Sequence, residues 1–174
     1  MSTKFFTNST GNTLFDKFKG IAADMINFDS FLAVVGFFRS SGYFKLRKEL
    51  GNVSEIKILV GINIDDIFRK HNKALLMLAD EDKAKEIYHN GFKEDIVNAQ
   101  YSPEVEEGIL QMCEDLVSGH LQMRIHATKN LHAKFYLCLP QNHSEHSDGW
   151  VIMGSSNISD SGLGIKQPPQ HELN

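Results

Sequence analysis

Two short apolar runs, FDSFLAVVGFF (28–38) and SEIKILVGI (54–62), constrain the fold of this 174-residue chain more than any other feature. The first is rich in aromatic and β-branched residues, as in a strand buried on both faces, and the second reads as another buried strand. Between them Ser40-Ser41-Gly42 breaks the first run, and YFKLRKEL reads as a short helix. Ahead of them, TLFDKFKGIAADM spaces Leu14, Phe18, Ile21 and Met25 at steps of three and four. That is a helical stripe, capped by Asn12 or Thr13 with Asp16 in its first turn. From Asp65 to Gly119 the pattern is helical throughout, including LLMLADEDKAKEIYHNGF. Its best-marked helix has Ser102 as cap, Pro103 in the first position and Glu104, Glu106 and Glu107 at the positive end of the dipole. Gly119 follows as the left-handed stop. LQMRIH, LHAKFYLCL and GWVIMG are three further strand candidates. This order predicts a single α/β domain over residues 1–174, with a mixed sheet and helices on both faces.

No apolar run approaches the ~18 residues of a membrane span, Phe31 to Phe38 being the longest candidate. The N-terminus MSTKFFTNSTGN has no apolar core or cleavage site of a secretory signal. Cys113 and Cys138 show no pairing pattern, which fits a reducing compartment, and the expected location is cytoplasmic.

The net charge of −4 hides an asymmetry. Residues 80–118 carry eleven acids against three lysines, a net −8, so the rest of the chain is +4. Arg39, Lys45, Arg47 and Lys48 form a cluster with no acid until Glu49. They are a candidate nucleic-acid patch, although two ordinary solvated helix faces would read the same way.

The chemistry-bearing residues concentrate in the last third. Alternation along LHAKFYLCL puts His132 and Lys134 on one strand face. A buried lysine is costly without partners or a ligand, so Lys134 is expected to line a cleft. Past GWVIM come Gly154-Ser155-Ser156-Asn157, whose side chains and N–H groups suit phosphate oxygens at a strand end. Imidazole, ammonium, hydroxyl and carboxamide together suit a phosphodiester. A structural histidine beside a snorkelling lysine remains the alternative. Cys138, His143, His146 and Asp148 have conceivable metal spacing, but QNHSEHSDG also reads as a solvated hairpin, and no metal site is expected. No Walker A motif is present.

His132-Ala133-Lys134 followed by Gly154-Ser155-Ser156-Asn157 resembles the HxK…GSxN signature of the phospholipase D superfamily. GSSNISDSGL with HELN beyond it is similar to the nuclease-like domains of some restriction endonucleases and of the N-termini of superfamily 2 helicases. The resemblance implies a phospholipase D-like αβα sandwich with a central mixed sheet. It also implies a metal-independent, cofactor-free nuclease that cleaves DNA through a covalent phosphohistidine. His132 would be the nucleophile, with Lys134, Ser155, Ser156 and Asn157 holding the phosphate. One HxK motif per chain implies a homodimer that brings two histidines together. The position five residues after Lys134, an aspartate in many members, is Leu139 here; Glu172, fifteen residues after Asn157, falls where the nuclease branch has its acid. A further expectation is that the chain is the N-terminal part of a longer protein with a helicase region downstream. The alternative implied function is a non-cleaving module that positions a helicase or restriction system on DNA.

Overall fold

The computed structural model describes residues 5–25, 27–51, 53–64, 102–126 and 131–166. In chain order these form α1 (Leu14–Asp24), β1 (Phe28–Phe38), α2 (Ser40–Leu50), β2 (Glu55–Ile64), α3 (Pro103–Val117), β3 (Leu121–Ile125), β4 (Phe135–Pro140) and β5 (Trp150–Met153). Helix α1 opens with a capping box: Asp16 N–H donates to Thr13 Oγ1, and Thr13 N–H to Asp16 Oδ2. Those bonds, the backbone one foremost, hold the Asp16 carboxyl below its ordinary value. Ser102 caps α3 through Val105 N–H, and Gly119 takes φ +78° beyond it.

The sheet has the order β3-β2-β1-β4-β5, so the fold is α/β with a five-stranded mixed sheet. β1, β2 and β3 are parallel neighbours; β4 runs antiparallel to β1, and β5 antiparallel to β4. Both parallel crossovers step the same way, from β1 to β2 to β3, and right-handed crossovers then put their helices on one face. α2 packs against both α1 and α3 in that layer. Under it runs a continuous set of buried cross-strand pairs: Phe31 with Cys138 and Ile56, Ala33 with Tyr136 and Ile58, Tyr136 with Ile152. Phe18 of α1 stands edge-on to Phe31 and Tyr136, at 5.5 and 5.2 Å. The other face carries Met153–Phe135–Val34–Leu59–Arg124 and Val151–Leu137–Leu32–Lys57–Gln122, apolar on β5, β4 and β1 and polar toward β3. Among the described residues that face has no helix over it; the helical pattern of 65–101 lies outside them.

Two expectations need correction. Ser40-Ser41-Gly42 does not separate strand from helix but forms the first turn of α2. Gly42 is required there because a Cβ would sit 2.8 Å from Ser159 Cα. The fourth strand begins at Phe135, so His132 precedes it and is not fixed by strand parity.

Burial pushes the Cys138 thiol up to about 12, raises Cys113 as well, and with Asp115 beside it raises Tyr43. A group held protonated in the fold stabilises fully below its unfolded value, ~8.5 for a thiol, and loses that contribution as pH rises toward the folded one. The urea midpoint should therefore fall between about pH 8 and pH 10.5, and less steeply in Cys138→Ala. An unchanged slope in that variant would remove Cys138 from the account.

Candidate functional site

The carboxyl ends of β1, β2, β3 and β5 and the amino end of β4 meet at one edge of the sheet. Leu131–Lys134 crosses that edge over two glycines. A Cβ on Gly36 would lie 3.1 Å from Leu131 O, 3.5 Å from His132 Cα and 3.6 Å from Lys134 Nζ. One on Gly61 would lie 2.8 Å from both Leu131 O and Gly36 O. Glycine inside a strand marks such a close backbone approach. Each buried run carries one at its carboxyl end, VVG and LVG, a signal that pattern reading passes over.

Lys134 is only 6% exposed, whereas His132 is exposed. Lys134 Nζ donates to the His132 carbonyl at 2.8 Å and lies 3.0 Å from His132 Nδ1. An ammonium has no lone pair, so it can only donate there, and Nδ1 must accept. The second polar group arrives on the turn after β5. Gly154 N–H donates to Lys134 O, and Tyr136 Oη donates to Ser156 O at 2.7 Å, tying that turn to β4. Ser156 is fully buried, Ser155 exposed, and Asn157 half-buried. Asn157 Oδ1 accepts from Phe37 N–H at 3.0 Å, which fixes the amide and makes Nδ2 the group it can offer to an oxygen.

Asn8, absent from any sequence motif, locks the far side of this turn. Its fully buried side chain donates to Gly162 O at 2.7 Å and accepts from Leu14 N–H at 3.0 Å. Gly162 in turn lies so close to Asn157 that a Cβ would overlap Asn157 N and O. His132, Lys134, Ser155, Ser156 and Asn157 thus belong to one edge of the sheet.

Of the other singled-out residues, Arg39 follows β1 at this edge, its backbone N–H donating to Ile158 O at 2.9 Å. Arg39 Nη1 donates to Phe38 O, Lys45 forms an ion pair with Asp160 at 3.1 Å without an aligned hydrogen bond, and Lys48 pairs with Glu107 at 3.3 Å. Arg47 is the most committed: its Nε donates to the buried Asp115 at 2.8 Å, and Tyr43 Oη and Gln111 Nε2 donate to the same carboxylate. Leu139 pairs with Ser30 near the amino end of β1, the end of the sheet away from His132. The loop holding His143, Glu145, His146 and Asp148 joins β4 to β5 at that far end, and no metal-binding group of three His, Cys, Asp or Glu forms among the described residues. Glu172 lies outside the described residues. No described helix is long and apolar enough to cross a membrane.

No protein-family model matches the sequence, and no curated protein does. Among solved structures the chain is similar to that of the yeast tyrosyl-DNA phosphodiesterase, at a TM-score of 0.48 and 11% identity. The match covers 97% of this chain and 30% of that one, so the chain spans less than a third of that protein's length.

Proposed function

We propose that the chain is a phosphodiesterase of the phospholipase D type, cleaving nucleic acid, DNA foremost, as a homodimer and without a metal or other cofactor. The observation that carries this reading is a buried ammonium, Lys134, held 3.0 Å from an exposed imidazole at the edge where the Asn157 amide is fixed on Phe37 N–H. In the proposed reaction His132 of one protomer attacks phosphorus, and a phosphorus–nitrogen bond forms as the phosphorus–oxygen bond to the leaving alkoxide breaks. The partner's His132 gives that alkoxide a proton. Water then attacks phosphorus, losing its proton to the partner's His132, and His132 leaves. Lys134 and Asn157 Nδ2 hold the nonbridging oxygens where negative charge builds, with Ser155 and Ser156 beside them. Glu172 is the proposed acid that orients His132, in place of a carboxylate at position 139.

One geometric fact bears on how the site starts. With Nδ1 accepting from Lys134, a neutral His132 carries its proton on Nε2, which leaves that nitrogen without a lone pair. Attack through Nε2 requires phosphate oxygens to draw Lys134 off Nδ1, so the proton can move there and meet the Glu172 carboxylate. The same geometry favours the second reading, a non-cleaving module that seats a helicase or restriction system on DNA. Oligonucleotide cleavage in excess EDTA, compared between the wild type and His132→Ala, separates the two.

The glycine seat gives a further expectation. Gly61→Ala should lower cleavage by about 10²-fold, because a displacement of the His132 segment by a fraction of an ångström spoils in-line attack. Gly20, with open space around its Cβ position, is the control: Gly20→Ala should leave cleavage at the wild-type rate. Equal activity of Gly61→Ala and wild type would show that the approach over β2 does not position His132.

A further inference from the structure

We propose that Phe37 is a stacking platform for the nucleobase next to the bound phosphate; this rests on the phosphodiesterase reading and deepens it by naming what flanks the phosphate. Phe37 is 36% exposed, whereas Phe38 is fully buried against Tyr43 at 6.1 Å between ring centroids. The register of β1 on β2 shifts between Val35 and Phe37, so Phe38, not Phe37, continues the helix-side set of Phe31, Ala33 and Val35, and Phe37 points away from that layer. Its backbone stands within the site. Phe37 N–H donates to Asn157 Oδ1, and the preceding residue, Gly36, is the one over which His132 and Lys134 pass.

A second observation indicates what the ring is for. Three cations of the basic cluster are in ion pairs, Lys45 with Asp160, Arg47 with Asp115 and Lys48 with Glu107, and the chain carries a net −4. Ion pairing lowers what Lys45, Arg47 and Lys48 offer the phosphate backbone, and a nucleic acid held at this edge gains affinity from a further contact. A base offers a π face to any exposed aromatic ring whatever the sequence, and it can do so only when unstacked from its neighbours. The substrate class this favours is single-stranded or locally opened nucleic acid rather than intact duplex.

The test measures binding of the full chain to a short single-stranded phosphorothioate oligonucleotide and to the same strand with abasic sites at its centre. The wild type should prefer the base-bearing strand by about tenfold to a hundredfold, and the preference should collapse in Phe37→Ala. Phe37→Leu keeps an apolar side chain without a π face and should lose the preference too, while Phe37→Tyr should keep it. No preference in the wild type, or an undiminished one in Phe37→Leu, overturns the platform. So does loss of binding to phosphatidylcholine vesicles in Phe37→Ala with oligonucleotide binding untouched, which would assign the ring to a lipid. Turnover of bis(p-nitrophenyl) phosphate by the wild type reports separately on the phosphodiesterase reading. Its absence would sink that reading while the base preference still stood or fell by binding.

Discussion

Replacing His132 by alanine should abolish phosphodiester cleavage, and the cleavage it abolishes should persist in excess EDTA. The loss expected from deleting a covalent nucleophile is at least about 10⁴-fold, because the remaining binding groups cannot supply the missing bond. Lys134→Ala should cost about 10²- to 10³-fold, as for other groups aimed at developing charge. Arginine should not restore it: Nζ sits 3.6 Å from the Cβ position of Gly36 in a slot 6% exposed, too tight for a planar fork. The tautomer supplies a readout independent of turnover. ¹⁵N shifts of His132 should show Nδ1 as the bare nitrogen in the free protein, and added inorganic phosphate should move the proton from Nε2 to Nδ1. Strictly Mg²⁺-dependent cleavage, or an active His132→Ala variant, would overturn the phosphohistidine scheme. Light scattering that finds only monomer in an active preparation would leave a single histidine to do the work of two.

How far the sequence revealed this structure depends on the range of the interaction concerned. β1 spans the residues of the FDSFLAVVGFF run, because its aromatic and β-branched side chains report strand burial locally. Thr13 with Asp16, Ser102 with Pro103 and Gly119 mark helix ends through contacts within a turn, and all are found there. Gly42 misled because its reason is Ser159, more than a hundred residues away, not local backbone freedom. Gly36, Gly61 and Asn8 escaped for the same cause: each is explained by a segment distant in sequence, Leu131–Lys134 for the glycines and Gly162 for Asn8. The placement of Lys134 and Asn157 at one edge of the sheet follows from the pairing of β4 with β5, whereas the Nδ1 contact of His132 depends on an irregular segment that strand parity cannot describe. The basic cluster shows the same limit. Its four cations are neighbours in sequence, but the carboxylates that pair with Lys45, Arg47 and Lys48 lie on α3 and in the turn after β5.

Asp115 should be the most costly polar residue to remove among the described ones outside the site. It is 3% exposed and accepts from Tyr43 Oη at 2.7 Å, Arg47 Nε at 2.8 Å and Gln111 Nε2 at 3.1 Å. Asp115→Ala would strand a fully buried hydroxyl and a mostly buried guanidinium, and breaking such a pair from one side costs about 3–5 kcal/mol. Arg47 keeps one acceptor, Gly51 O at 2.7 Å, which places the expected loss toward the lower end of that range. Tyr43→Phe deletes one bond while the other donors still satisfy the carboxylate, so it should cost only about 1 kcal/mol. Lys48→Ala removes an exposed pair with Glu107 and should stay within about 0.5 kcal/mol. Urea unfolding of the three variants checks the order, and equal losses for Asp115→Ala and Lys48→Ala would show that burial does not set the cost. The effect should also reach the site. The Asp115 network binds α2 to α3, and α2 presents Gly42 to the Ser159 backbone, two residues beyond Asn157. A loosened α2 should therefore weaken phosphate binding in Asp115→Ala even where the protein remains folded, whereas Lys48→Ala should bind as the wild type does.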